Sequence, residues 1–393
     1  MKTRIDSRSA AAVGALAGVA SFFAASYAAA STSTLIVGDG SGSCRDATYA
    51  TIQTAIDAAA PGDEIAVCAG TYEEQITIPA GKDHLVVRAR EPLAAIIKAP
   101  VAMTDPGDLI RINASRDVTL LGFTVSGPLP DALFCSTYPR SGVRVDGGGS
   151  AVIRGNRFTA IRSADTSLRG CQSGVAILVG NAAEGEVGTA VLEQNTIDEF
   201  QKAGIVVDNK GSSALVYGNR VLGDGPSQVI AQNGIQISNG ADAVVSSNWV
   251  SGDVYSPSPE ASAILFFVSG QVTAVGNIVH DADFGIVTVD VASPQIQHNS
   301  VAACTANGID LDGASTGTTG AQVLLNETHD NALNGIYVSA LSTGNTLAEN
   351  RSFANKGLDA RDESSGKGTA GTANDWVHDH CQTDNHGGLL CEP

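Results

Sequence analysis

Seven side chains are candidates for chemistry because polar types recur at periodic positions: Arg140, Arg144, Gln172, Lys202, Gln232, Glu260 and Asp283. Arg140, Gln172, Lys202 and Gln232 each stand two residues ahead of a recurring glycine, so a repeating scaffold would stack them in one column. Planar amides and guanidinium groups at strand spacing suit an extended sugar chain, above all a uronate, whose carboxylate a guanidinium can grip. A lysine in that column is a base for taking the proton α to the uronate carboxylate. Arg140 or Arg144 would then stabilise the enolate-like charge. Glu260 and Asp283 stand three and two residues ahead of equivalent positions on successive repeats. That would bring two carboxylates about one strand spacing apart, close to the separation used by retaining glycoside hydrolases. His280 and Asp281 would flank them. A structural reading competes with both chemistries. Arg140, Arg144, Arg154, Arg157, Arg162 and Arg169 have Asp146, Asp165 and other acids nearby for pairing, and all these residues fall where solvated turns are expected.

The elements that must position these groups come from two interleaved repeats. One is a small residue opening a short alternating strand, as in "SGVRV", "AGIVV", "NGIQI", "FGIVT" and "NGIYV", with its key residue at Gly142, Gly174, Gly204, Gly234, Ala263, Gly285, Gly308, Gly335 and Gly357. The other ends in asparagine, as in "VIRGNRF", "VLEQNTI" and "VVSSNWV", at Asn156, Asn195, Asn219, Asn248, Asn277, Asn299, Asn326 and Asn350. Runs of four or five residues with alternating polarity are strands rather than helices. Units this small bury a core only by stacking on their neighbours. The expected inward columns are Val143, Val175, Ile205, Ile235, Ile264, Ile286, Ile309 and Ile336, and Ile153, Leu192, Val216, Val245, Ala274, Ile296, Val323 and Leu347. Asn at a tight turn tolerates left-handed geometry, and stacked amides can bond one another.

This grammar resembles the right-handed parallel β-helix proteins of the pectin-lyase-like superfamily, over about residues 110–360. The segment 49–78 resembles that superfamily's N-terminal entry, with Ile52, Ala55, Ile56 and Ala59 on one face of a short capping helix, and 374–391 resembles its C-terminal cap. The resemblance implies an all-β solenoid: N-terminal cap and first coils over 31–100, repeat coils over 110–360 and a C-terminal cap over 361–393, all in one domain. It does not imply one activity. "GTYEE" resembles the opening of pectin methylesterases, and "NGIDLDG" distantly resembles polygalacturonases, but the remaining signatures of both are missing, as are those of extracellular pectate lyases and alginate epimerases.

Residues 1–30 read as a secretory leader, with a basic start, an Ala/Gly-rich apolar stretch and small residues at Ala28-Ala29-Ala30; the expected location is secreted or periplasmic. No later stretch is long and apolar enough for a membrane helix. With a formal charge of −18, the chain is a poor general partner for nucleic acid. All seven cysteines follow the leader, where disulfides are permitted. Cys44–Cys68, Cys135–Cys171 and Cys381–Cys391 are natural local pairings that leave Cys304 over, although sequence does not fix connectivity. No metal-ligating set is read, and calcium stands only as an optional cofactor. The expected partner is a polysaccharide, met by a lyase, by a hydrolase or by a non-catalytic binding protein. An outward apolar stripe of Ala176, Leu178, Val206, Leu265, Phe267, Val287 and Val289 offers an oligomer surface, unless a loop covers it.

Overall fold

The computed structural model describes residues 33–40, 44–104, 107–130, 134–135 and 139–392; the expected leader lies outside them. Their strands form three parallel sheets that the chain visits in rotation. Sheet I has 13 strands, from Thr34–Val37 to Asp375–Val377. Sheet II has 11, from Gly70–Glu73 to Arg351–Phe353, and sheet III has 11, from Ile76–Ile78 to Ala360–Asp362. One coil takes Ser141–Asp146 in sheet III, then Gly149–Arg154 in sheet I and Arg157–Thr159 in sheet II, before a loop returns the chain to sheet III. Every strand pair is parallel because each strand meets its counterpart one turn later. The core is the space between the sheets, filled by axial columns of Val, Ile, Leu and Phe.

The sheet I column runs from Ile153 through Leu192, Val216, Val245, Ala274, Ile296 and Val323 to Leu347, as the sequence predicts. The sheet III column differs at one rung: Val143 pairs with Ile177, not Val175, and Ile177 with Ile205. Val175 faces outward, in a small cluster with Leu178, Ala203 and Val206. Ala176, expected outside, occupies the glycine position and lies in the core. The cause is that Gly174 belongs to the preceding loop, where its φ is +81° and a Cβ would lie 2.7 Å from the Ile161 carbonyl oxygen. The same two-residue offset recurs at the last coil, where Gly335 is level with Asp359 and not near Gly357. At the true glycine positions crowding decides: a Cβ on Gly234 would stand 2.7 Å from the Ala263 carbonyl oxygen of the next coil.

The asparagines form a ladder. Each side-chain amide donates to the Oδ1 of the next, from Asn156 to Asn195 (3.2 Å) and onward through Asn219, Asn248, Asn277, Asn299, Asn326 and Asn350 to Asp379 (2.7 Å). The left-handed residue of this turn is the one before the asparagine, for example Gln194, Ser247, His298 and Glu349, and not the asparagine itself. Two shorter ladders lie near the C-terminus, Asn331–Asn355–Asp359 and Asn345–Asn374–Asp362.

The first coil end is closed by the helix Ile52–Ala58, with Ile52, Ala55 and Ile56 buried and Ala59 beside them. Glu74, within "GTYEE", accepts from the Ile52 and Gln53 amides at 2.8 and 2.9 Å and so caps this helix. Three disulfides join the cysteines paired as neighbours in sequence. Cys304 is buried, and burial pushes its thiol up to about 12. Among the described residues no helix is long and apolar enough to cross a membrane.

Candidate functional site

Strands of sheet III send alternate residues outward, and one outward row reads Arg144, Leu178, Val206, Gln236, Leu265, Val287, Asp310, Tyr337 and Arg361. Where this row is apolar, the surface is hollowed into a groove of about 280 Å³. Its floor is Val175, Leu178 and Val206. One wall is Pro139, Gln172 and Lys202, from the loops that lead into sheet III; the other is Asn181, Ala182 and Ala183, with Asp208, Gln236, Ser238 and Asn239 beside it.

That second wall is built by a loop that leaves sheet III after Val179. A short turn of helix, Ala182–Glu184, is capped by Asn181, whose side chain accepts from the Ala183 amide. Asp208 fastens the loop to the sheet. Its Oδ2 accepts from the Ala182 amide at 2.7 Å, while its Oδ1 accepts from Ser238 Oγ at 2.8 Å and Asn239 Nδ2 at 2.7 Å. Gln236 donates to Ser238 Oγ and accepts from Asn233 Nδ2. Hydroxyl, amide and carboxylate groups held in one network thus face an aliphatic floor.

Lys202 reaches the opposite wall, with its Nζ donating to the Ala231 carbonyl at 2.7 Å. Burial pushes its amine down to about 8, against the opposing influence of the Asp253 and Glu260 charges. Asp253 is fully buried, and neither of its oxygens has a hydrogen-bond partner. Burial, helped by the neighbouring Asp283, lifts its carboxyl well above the ordinary range.

Of the seven candidates, the structure brings Lys202 and Gln172 to the groove. Gln172 arrives from the loop and not from the column, where Gly174 takes its place: the Gly174 carbonyl accepts from the Lys202 amide as part of the coil-to-coil pairing. Arg144 is completely buried. Its Nε meets Asp146 Oδ2 at 2.6 Å, another nitrogen lies 3.7 Å from Asp108 and a third meets Glu184. Asp146 also receives Arg111 and Asn113, and burial pushes Asp108 up to about 6. Arg140 is 5% exposed and packs against Gly107. Gln232 donates to the Phe200 carbonyl and accepts from the Asp224 amide, both within the wall. Asp283 spends its oxygens on the Tyr255, Glu260 and Ala261 amides and the Thr305 hydroxyl. It therefore holds Glu260 by the backbone, while the Glu260 carboxylate is exposed and takes the Ser258 hydroxyl. Asp208, Asn181, Gln236, Ser238 and the buried Asp253 are additions that sequence reasoning missed. Alternation alone would have set Asp208 outward, two residues after Val206.

The family model described as right handed beta helix region matches residues 108–281 and 176–353. The chain belongs to this right-handed parallel β-helix family. Among solved structures, XylC in complex with xylose is 11% identical, with a TM-score of 0.55 over 86% of this chain and 77% of that one. The Dettilon tailspike protein is 17% identical, with a TM-score of 0.53 over 91% of this chain and 64% of the tailspike. Pectate lyase Pel9A is 15% identical, at a TM-score of 0.48 over 92% of this β-helix chain and 79% of the lyase. No curated protein matches the chain.

Proposed function

We propose that this exported β-helix binds an extended polysaccharide in the sheet III groove. The observation that carries the reading is the composition of the groove: an aliphatic floor of Leu178 and Val206 between polar walls that present Asn181, Asp208, Gln236 and Ser238. Sugar rings have apolar C–H faces and a rim of hydroxyls, and a site with few placed polar groups over an apolar base matches both. The XylC structure, of the same fold, is a complex with a sugar, which supports this use of the scaffold.

Lys202 adds a second reading. Its amine, pushed down to about 8, is neutral in part under mildly alkaline conditions and faces the groove. Taking the proton α to a uronate carboxylate would expel the glycosidic oxygen at the β carbon and leave a double bond in the product. Elimination also needs a positive charge on that carboxylate. Arg144 is committed to Asp146, Asp108 and Glu184, so binding stands ahead of cleavage.

The test is affinity electrophoresis against pectin, alginate, xylan and neutral glucans, each with calcium and with chelator, while ultraviolet absorbance of unsaturated product is followed. Retardation by one polymer, lost in Gln236→Ala with Leu178→Asp, supports the groove. Absorbance growth lost in Lys202→Ala supports elimination. Equal mobility in every gel overturns the binding reading.

A further inference from the structure

Sheet II carries a different constellation. Its outward row reads Leu222, Ser251, His280, Ala302, His329 and Phe353. Ser251 and His280 are direct partners on adjacent parallel strands, so their side chains leave the sheet on the same side at roughly one strand spacing, about 4.8 Å. His280 Nδ1 is bound to Asp281 Oδ2 at 2.7 Å. Asp281 lies in the left-handed region, with φ of 54°, immediately after its strand. Trp249 packs edge-on against the imidazole, with ring centroids 4.6 Å apart, and the Arg220 guanidinium lies over the other ring, that of Trp249, at 4.2 Å. The imidazole is thus held from two directions, with Nδ1 occupied and Nε2 available. The Ser251 hydroxyl makes no hydrogen bond among the described residues, and Ser251 is 7% exposed beneath its neighbours.

We infer that Ser251, His280 and Asp281 form a hydrolytic triad for small carboxylic esters, such as acyl groups carried on sugar hydroxyls. Nucleophile, base and orienting acid are recognised by geometry and role, not by order in the chain. The hydroxyl and Nε2 are not hydrogen-bonded in the unliganded protein, and rotation of Ser251 about χ1 is the motion that joins them, since such contacts tighten on substrate binding. Ser251 Oγ attacks the ester carbonyl carbon and passes its proton to His280 Nε2. The ester C–O bond breaks, and the departing alkoxide takes that proton as the free alcohol. Water then adds to the acyl-serine, gives a proton to the same nitrogen and releases the carboxylic acid, and the proton returns to Ser251.

The molecule contains its own control. His329 and Asp330 repeat the dyad at 2.8 Å, with Asp330 again left-handed at φ of 56°. There the strand partners are Ala302 and Phe353, and the Phe353 ring stacks on the imidazole at 5.1 Å. One His–Asp pair stands beside a hydroxyl and the other does not.

The experiment uses the full chain, a fluorophosphonate probe with peptide mapping, and hydrolysis of 4-nitrophenyl acetate. The expected result is labelling at Ser251 in native but not heat-unfolded protein. Hydrolysis should fall about 100-fold in Ser251→Ala and in His280→Gln, the size of a lost general base, and stay unchanged in His329→Gln. Absence of labelling, labelling that survives Ser251→Ala, or equal loss in His329→Gln overturns the inference. All three residues stand on the outward row, Ser251 buried there, and matched thermal unfolding curves separate loss of chemistry from loss of fold.

Discussion

The coils before and after residue 264 share one interior and have different edges. From Val143 to Ile264 a coil takes 28 to 34 residues; from Ile264 to Ala360 it takes 22 to 27. The ladder and the apolar columns run through both halves without change of geometry. The extra residues of the first half go into the wall 181–187, the loop 160–174 and the lengthened sheet II strands Arg220–Ser227 and Trp249–Tyr255. Of these segments, the loop gives Gln172 and the wall gives Asn181, Ala182 and Ala183 to the groove. In the second half the same outward row reads Val287, Asp310, Tyr337 and Arg361, and none of these lines the groove. A stacked fold tolerates edge insertions because each coil needs only its neighbours. Interior identity therefore marks stability, and edge difference marks where the proposed groove is built.

The largest effect tests the shared interior. Asn248→Ala removes the acceptor of the Asn219 amide nitrogens and the donor to Val216 and Asn277. Stranding these buried groups should cost about 3 kcal/mol, read as a lower denaturation midpoint with unchanged slope. An equal loss in Asn326→Ala is expected if both halves share one interior, and a much smaller one would break the comparison.

Next comes pH, through the second half. Asp310 is buried, has one unpartnered oxygen and is pushed up to about 7 by burial, against the Asn307 amide that bonds its other oxygen. Since the folded value lies above the ordinary one near 3.8, its contribution to stability is present below that value and is lost as pH rises toward 7. Asp108 and Asp379, both raised to about 6, act in the same direction. Asp310→Asn should raise Tm by about 3 °C near pH 8 and change it little near pH 4, by differential scanning calorimetry. A gain of equal size at both pH values would remove the ionised carboxylate as the cause.

A smaller effect is expected at the groove. Gln236→Ala should weaken the polysaccharide contact about fivefold with Tm kept, since one neutral hydrogen bond is worth about 1 kcal/mol. The smallest concerns Glu260. Its carboxylate supports the charged form of Lys202, so Glu260→Gln should lower the Lys202 titration further while leaving stability within about 0.5 kcal/mol, by rate of amine acylation against pH and by thermal unfolding.

Much of the fold was legible because its signal is periodic. Every rung of the asparagine ladder and of the sheet I column stands where the repeat puts it. The misplacements at Gly174 and Gly357 arose from glycines that belong to loops near the strand start and imitate the strand-opening ones. The site was less legible because burial of a charge is not written in its type. Arg140 and Arg144 read as groups that could stabilise charge on a uronate, yet Arg144 is enclosed by Asp146 of its own strand and by Asp108 and Glu184, which only the stacking of coils makes its neighbours. Asp208 and Asn181 look like ordinary turn residues until the coil register sets them on one rim.

Three amide ladders end alike near the C-terminus, at Asp379, Asp359 and Asp362. Asparagine both accepts and donates, so it passes a ladder on; an aspartate accepts and has nothing to hand forward. Three such full stops within twenty-one residues finish the sentence that the repeat keeps extending. A solenoid with open donors at its end would invite another chain to continue it, and here the last word is an acceptor already taken.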